Sequence, residues 1–367
     1  MAGLNQAPGD ARLERLRVQA LFEMGETDAA LEAMAALVET QEDNWRLHLD
    51  YARRLQQAGR DDAARSVFGR LRDTWPEEPQ VLYSAAMLSL EVGYREQAQT
   101  YLEDLLELGS RRGAAHYFLG RIAEDQGRVR DALNRYERVE SGDYRSRAGL
   151  RRAVVLGREG RVARAREAFE AHRARFPEQA PRAFLMEAQM LRELGRREDA
   201  ATVYEQGLAE HPDNADLRYG RGLLRAVSGD IDGAEADFRH ILEADPDHVD
   251  ALNALGYTLV DSTDRLEEGL ELIRRAHEQD PENPAILDSL GWANYKLDRP
   301  ERALDYLRRA YRGHQSGEIA AHLGEVLWQQ GQRDEARAIW QEALERDGDD
   351  PVLQETLERL APEVLSR

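Results

Sequence analysis

A glycine followed five residues later by an alanine recurs about every 34 residues along this chain, at Gly25/Ala30, Gly59/Ala64, Gly93/Ala98, Gly127/Ala132, Gly160/Ala165, Gly195/Ala200, Gly229/Ala234 and Gly331/Ala336. Two further copies carry Gly269 and Ala303 at the alanine position, with Asp264 and Asp298 in the turn instead of the glycine. A fixed period of this length marks a repeat array, in which each unit is one supersecondary motif that buries its apolar face only against its neighbours. Such an array can extend to 367 residues where a single globular core stops growing at roughly 250 to 300.

Numbered from 1, the repeats tile as 11–44, 45–78, 79–112, 113–145, 146–179, 181–214, 215–248, 249–283, 284–316 and 317–350. Position 8 is then Val18, Ala52, Ala86, Gly120, Ala153, Ala188, Gly222, Gly256, Gly291 and Gly324. Small residues at 8 and 20 let two helices of a hairpin cross closely. The turn glycine marks where the first helix ends in a left-handed residue, a conformation that Asp tolerates next best. Position 24 is large, with Phe68, Tyr136, Phe169, Tyr204, Phe238 and Trp340, and Met34, Leu102 and Leu307 elsewhere, all expected in the core. Proline closes five repeats, at Pro76, Pro177, Pro212, Pro246 and Pro281, where one helix must stop before the next begins.

Small residues at 8 and 20, an aromatic near 24 and proline at 32 resemble the tetratricopeptide repeat, over residues 11–350. The resemblance implies an all-α fold, a right-handed superhelical α-solenoid of about ten helix-turn-helix repeats. Residues 351–360, PVLQETLERL, place Val352, Leu353, Leu357 and Leu360 on one helical face and read as a capping helix. Residues 1–10 read as a disordered N-terminal tail and 361–367 as a second tail. No equivalent cap precedes Ala11, from which we expect the chain to be the C-terminal part of a longer array. Repeat eight carries an extra residue around Ser262–Asp264 and repeat four ends in SGDYRS without proline. Local bends are expected at both.

In the family the first helices line the concave face, with positions 2, 5, 9, 12 and 13 toward the groove. Those positions supply Tyr83, Met87, Tyr117, Arg121, Tyr219, Leu223, Tyr257, Trp292, Tyr295 and Trp328 as candidate protein-binding residues. Tyr and Trp offer large contact area at low entropic cost and dominate interface hot spots. Two readings stay open for Trp292 and Trp328. Either they floor a peptide groove, and Trp292→Ala weakens binding while leaving stability nearly unchanged, or they pack between neighbouring first helices.

Residues 145–175 hold ten arginines against Glu159, Glu167 and Glu170, in a chain of formal net charge −20. Arg147, Arg151, Arg152, Arg158 and Arg161 form a candidate basic belt for an acidic surface or anionic headgroups. The alternative is that glutamates of flanking repeats neutralise it.

The strongly acidic balance opposes nucleic-acid binding, which needs a basic surface. No apolar run reaches the roughly 18 residues of a membrane span. The start, MAGLNQAPGD, has neither an export signal nor a lipid-bearing cysteine, and the chain has no cysteine at all. With Lys296 the only lysine, and no asparagine at position 9 of any repeat, the lysine-asparagine clamp by which some tetratricopeptide co-chaperones hold a terminal carboxylate cannot be built. The nine histidines show no ligand spacing, and GHQSGEIAAH, with Glu318 between His314 and His322, is not expected to hold a metal. No nucleophile elbow or phosphate loop is present, so no enzymatic reaction, cofactor or metal is assigned.

ALNALGYTLVD (251–261), ILDSLGWANYKL (286–297) and EIAAHLGEVLWQQGQRDEARAIWQEAL (318–344) resemble proteobacterial tetratricopeptide lipoproteins of the LbcA-like type. That resemblance implies an adaptor at the periplasmic side of the outer membrane, one that activates a carboxyl-terminal processing protease and presents cell-wall hydrolase substrates to it. The other readings are a structural subunit of an envelope-assembly or secretion complex, or a cytoplasmic scaffold.

Overall fold

A computed structural model describes residues 11–365; the segment 1–10, expected to be a disordered tail, lies outside them, as do residues 366–367. The described residues form twenty-two α-helices and one 3-10 turn, with no strand. They divide into two compact units, one ending at Pro177 and the other beginning at Glu178.

The first unit is five hairpins: α1 (Ala11–Glu23) with α2 (Thr27–Thr40), α3 (Trp45–Gln57) with α4 (Asp61–Thr74), α5 (Pro79–Glu91) with α6 (Arg95–Glu107), α7 (Arg112–Asp125) with α8 (Val129–Glu137), and α9 (Arg145–Arg158) with α10 (Val162–Arg175). The second holds α11 (Ala180–Glu193) with α12 (Arg197–Glu210), α13 (Ala215–Val227) with α14 (Ile231–Ala244), α15 (Val249–Ser262) with α16 (Leu266–Gln279), α17 (Pro284–Lys296) with α18 (Pro300–Gly313), and α19 (Gly317–Gln329) with α20 (Arg333–Asp347). Within each unit a second helix packs on its own first helix and on the first helix that follows.

The turns obey one rule. All eight repeat glycines have positive φ, between 69° at Gly127 and 84° at Gly93. The N–H after each glycine reaches back five residues to close the helix, as Arg60 does to the Leu55 carbonyl at 2.8 Å and Arg196 to Leu191 at 2.8 Å. This is the Schellman closure, which satisfies carbonyls that the helix end would orphan. Asp298 takes the same conformation, at φ 58°. Asp264 does not. The extra residue of repeat eight lets Thr263 stand extended, at φ −142°, its hydroxyl bonded to the Leu259 carbonyl at 2.6 Å and accepting from Arg265 N–H at 3.0 Å. A side-chain-capped route replaces the left-handed residue there. At several first helices an N-cap side chain accepts from the backbone, Asn44, Asn214, Asn283 and Ser316 among them, and Asp350 does the same for the helix that follows the last hairpin.

The core is built by matching sizes within each hairpin. Every large position-24 residue named from the sequence is buried. Where position 8 is glycine, the large residue closes on it. A methyl at Gly120 would meet Tyr136 at 2.6 Å, one at Gly222 would meet Phe238 at 2.7 Å, and Gly291 and Gly324 are closed off by Leu307 and Trp340. In repeat eight Gly256 faces Ile273 and the carbonyl of Gly269, its position-20 partner, at 2.6 and 2.7 Å.

Two places depart from the regular hairpin pattern. In repeat four α8 is only 9 residues long, and SGDYRS carries Tyr144 back onto the hairpin. Residues 361–365, expected to be tail, are packed. Beyond α21 (Pro351–Leu360), whose Leu353 and Leu357 are buried, the chain turns at buried Ala361 into α22 (Pro362–Leu365) and buries Val364. Apolar Ala361, Val364 and half-buried Leu365 extend the cap that Leu353 and Leu357 begin.

Candidate protein-binding groove

In the second unit a hollow of about 520 Å³ opens between α11 and α13. Its walls are Leu185, Gln189 and Arg192 from one helix and Asp216, Tyr219 and Leu223 from the other, positions 5, 9, 12 and 2, 5, 9 of their repeats. Tyr204 lies at its base and Val227 at its edge, the latter 65% exposed. Small Gly220 keeps this hollow open, because a side chain there would strike the Tyr204 ring. Burial, with Asp250 nearby, raises the Tyr219 phenol, so it stays a neutral donor. Arg192 and Glu193 on one wall and Asp216 on the other put both signs of charge around an apolar floor. Of the residues expected from the sequence, Tyr219 and Leu223 are brought together here.

The C-terminal aromatics take a different form. Trp292 is 7% exposed, stacked on the His322 ring at 4.2 Å and 19°, and donates its indole N–H to Asp261 at 3.0 Å. It fills the space between α15 and α19 and does not floor an open groove. Tyr257 is half-buried, with its hydroxyl 3.4 Å from His322 Nε2. Tyr295 leans on Trp292 at 5.2 Å and donates to Glu325, a buried carboxylate also held by Arg359 at 2.5 Å. Trp328 is half-buried against Trp340, with the Arg333 and Arg337 guanidiniums over its ring at 4.9 and 5.1 Å. These side chains are mostly consumed in holding one repeat to the next.

In the first unit Tyr83, Tyr117 and Tyr144 form a cluster. The Tyr83 and Tyr144 hydroxyls lie 3.0 Å apart, Tyr117 stacks on Tyr144 at 4.9 Å, and Arg111 covers Tyr83 at 4.5 Å. Tyr117 is buried, while Met87 and Arg121 are half-buried. Burial, then the Tyr83 hydroxyl, pushes the Tyr144 phenol up to about 12. The sequence reading missed Tyr144 because it stands in the loop that ends repeat four, at none of the groove positions 2, 5, 9, 12 and 13; the lone aromatic of SGDYRS was its signal.

The arginine belt is divided. Arg151 makes a two-pronged bond to Glu124 at 2.7 and 3.1 Å, and Arg158 approaches the same carboxylate at 3.9 Å. Arg152 pairs with Glu137 at 3.3 Å and lies with exposed Arg161 along a separate hollow of about 760 Å³ beside α8 and α10. Arg147 is exposed, 5.8 Å from the Tyr144 ring. Glutamates of the preceding repeat thus take up much of the charge.

A polar cluster that the sequence did not resolve lies beside Trp292. His314 is exposed beyond α18 and takes no part. Instead His322 Nδ1 meets both Asp288 oxygens at 3.0 and 3.1 Å, with Glu318 one helical turn before it. Burial opposes protonation of His322, but Asp288, backed by Glu318 and Asp261, outweighs it and raises the imidazole. Burial and then Asp288 raise the Glu318 carboxyl.

Family models of the tetratricopeptide repeat match residues 21–88, 83–140, 121–180, 185–249 and 220–348. The chain is 41% identical over 212 residues to TPR repeat-containing protein PA4667 of Pseudomonas aeruginosa, a match covering 58% of this chain and 36% of that one. It is 27% identical over 289 residues to cellulose synthase operon protein C of Xanthomonas axonopodis pv. citri, covering 63% of this chain and 19% of that one. The chain therefore spans well under half the length of these relatives. Among solved structures, a tetratricopeptide repeat protein from Parabacteroides merdae superposes with a TM-score of 0.53 at 16% identity, covering 68% of this chain and 98% of that one. At that identity the likeness speaks to the fold.

Proposed function

The chain belongs to the tetratricopeptide-repeat family, and from that premise we propose that it is a non-catalytic scaffold whose first helices hold segments of other proteins. The hollow between α11 and α13 carries this reading: groove positions from two repeats converge there around an apolar floor, with Val227 left 65% exposed at its edge. An apolar floor within a polar, charged rim is the anatomy of a protein interface. A peptide selected on the protein from a random display library should bind the Tyr219→Ala and Val227→Asp variants at least about tenfold more weakly, since hot-spot residues each contribute 2 kcal/mol or more. Equal binding to both variants would reject the reading.

The finer proposal is that the protein is an adaptor at the periplasmic side of the outer membrane, activating a carboxyl-terminal processing protease and presenting cell-wall hydrolases to it. It rests on the resemblance of segments 251–261, 286–297 and 318–344 to the LbcA-like group. Among the described residues no helix is long and apolar enough to cross a membrane, so membrane association would come from elsewhere. Adding the purified protein to such a protease and a hydrolase substrate should accelerate cleavage. An unchanged rate would remove this proposal while leaving the binding groove intact.

A further inference from the structure

Asp288, Glu318 and His322 come from two neighbouring repeats, and one ligand atom of each lies within 4.8 Å of the others. Glu318 and His322 are four residues apart on α19 and so share a face. Asp288 sits at the facing level of α17, its carboxylate 3.0 Å from His322 Nδ1. We propose that these three side chains form a site for one divalent cation of the zinc class, tying repeat nine to repeat ten.

Ligand chemistry is the first reason. One imidazole with two carboxylates is a mixed nitrogen and oxygen set, which suits zinc and its substitute cobalt better than calcium or magnesium. With metal–ligand bonds of about 2.1 Å, tetrahedral ligand atoms stand roughly 3.4 Å apart. The Asp288–His322 pair is already near that spacing. Glu318, in the first turn of α19 and partly exposed, is the one ligand with freedom to close the remaining gap.

Charge balance is the second. Asp288 is 5% exposed and His322 3%, with Glu318 facing them. A buried carboxylate is costly unless a cation pairs with it. A divalent cation with a neutral imidazole balances both carboxylates.

The surroundings of the ring are the third. A metal-bound histidine donates its other ring N–H to a fixed acceptor, which sets its tautomer and plane. Here Nδ1 faces the carboxylates, and Nε2 lies 3.4 Å from the Tyr257 hydroxyl oxygen. Trp292, stacked at 4.2 Å, holds the plane of the ring. Tyr257 and Trp292 thus act as positioning residues.

Cation binding is read without any protein partner, so it stands or falls apart from the groove. The full chain, stripped with a chelator, is titrated with zinc chloride by calorimetry and with cobalt(II) chloride by visible absorption. The expected result is one zinc per chain, a cobalt spectrum of tetrahedral intensity that zinc abolishes, and a zinc-induced rise in melting temperature. Glu318→Gln, nearly isosteric at a partly exposed position, should weaken zinc binding at least about tenfold while the metal-free variant keeps its helical circular dichroism. Asp288→Asn should do the same, and His314→Gln should leave affinity unchanged. Absence of zinc binding to the unaltered chain overturns the proposal. So does zinc affinity that survives both Glu318→Gln and Asp288→Asn, which would place the cation on surface carboxylates.

Discussion

Gly69 and Gly222 both lie inside helices, yet alanine should act on them with opposite sign. Nothing approaches the place of a Cβ at Gly69, whereas at Gly222 it would meet the Phe238 ring at 2.7 Å. Gly69→Ala should therefore stabilise by about 0.5–1 kcal/mol through helix propensity, and Gly222→Ala should destabilise by about 1–3 kcal/mol through overpacking. Denaturant unfolding measures both, and two gains would refute the position-8 to position-24 fit. Trp292 carries a second test. Buried, stacked on His322 and bonded to Asp261, Trp292→Ala should cost about 3–5 kcal/mol, contrary to the groove reading of its sequence position. That position was legible, but its burial was not, because the covering residues Asp261 and His322 lie about 30 residues away on either side. A third test concerns pH. Burial, then Arg135, Arg138 and Arg112, lowers the His116 imidazole from 6.5 to about 4. The unfolded chain then binds a proton that the folded one refuses. Stability of the first unit should fall as pH drops from about 6.5 toward 4, be flat in this respect above that range, and fall less in His116→Gln. Equal pH slopes in thermal melts of the two proteins would contradict it.

At the scale of the helix and turn, the eight turn glycines announced their left-handed conformation in the sequence, and the structure adds the Schellman bond that makes each necessary. The two aspartate turns, both read as left-handed from the sequence, are set apart by the extra residue of repeat eight. Asp298 stands at φ 58°, while the longer turn of repeat eight passes through extended Thr263. Asp298→Gly should slow hydrogen exchange in α17 and α18, by about 0.5–1 kcal/mol. Asp264→Gly should bring no such gain. Local exchange is the right measurement because repeat arrays need not unfold in one step. The short α8 and the return of Tyr144 escaped sequence reading for a related reason: they arise where the period itself breaks, and only cross-repeat contacts such as Tyr83 with Tyr144 fix what the loop does.

For the whole molecule, the period carried the repeat fold; of the groove candidates named from the sequence, Tyr219 and Leu223 line one hollow, together with Leu185 and Gln189. Aromatic content was a poorer guide. The densest aromatic stretch proved to be inter-repeat packing around Asp288, Glu318 and His322, while the open apolar surface lies two repeats earlier, at an aliphatic residue, Val227. The ion pairs of the arginine belt show the same limit, since Glu124 and Glu137 belong to the repeat before. The central claim is that partners are held by first helices. Its most direct test is site-specific photo-crosslinking in cells that make the protein, with the crosslinker at Gln189 or Val227 on first helices and at Thr202 or Gln206 on the exposed face of α12. The account predicts a discrete partner adduct from Gln189 and Val227, lost in Tyr219→Ala, and none from Thr202 or Gln206. Adducts from α12 alone would contradict it.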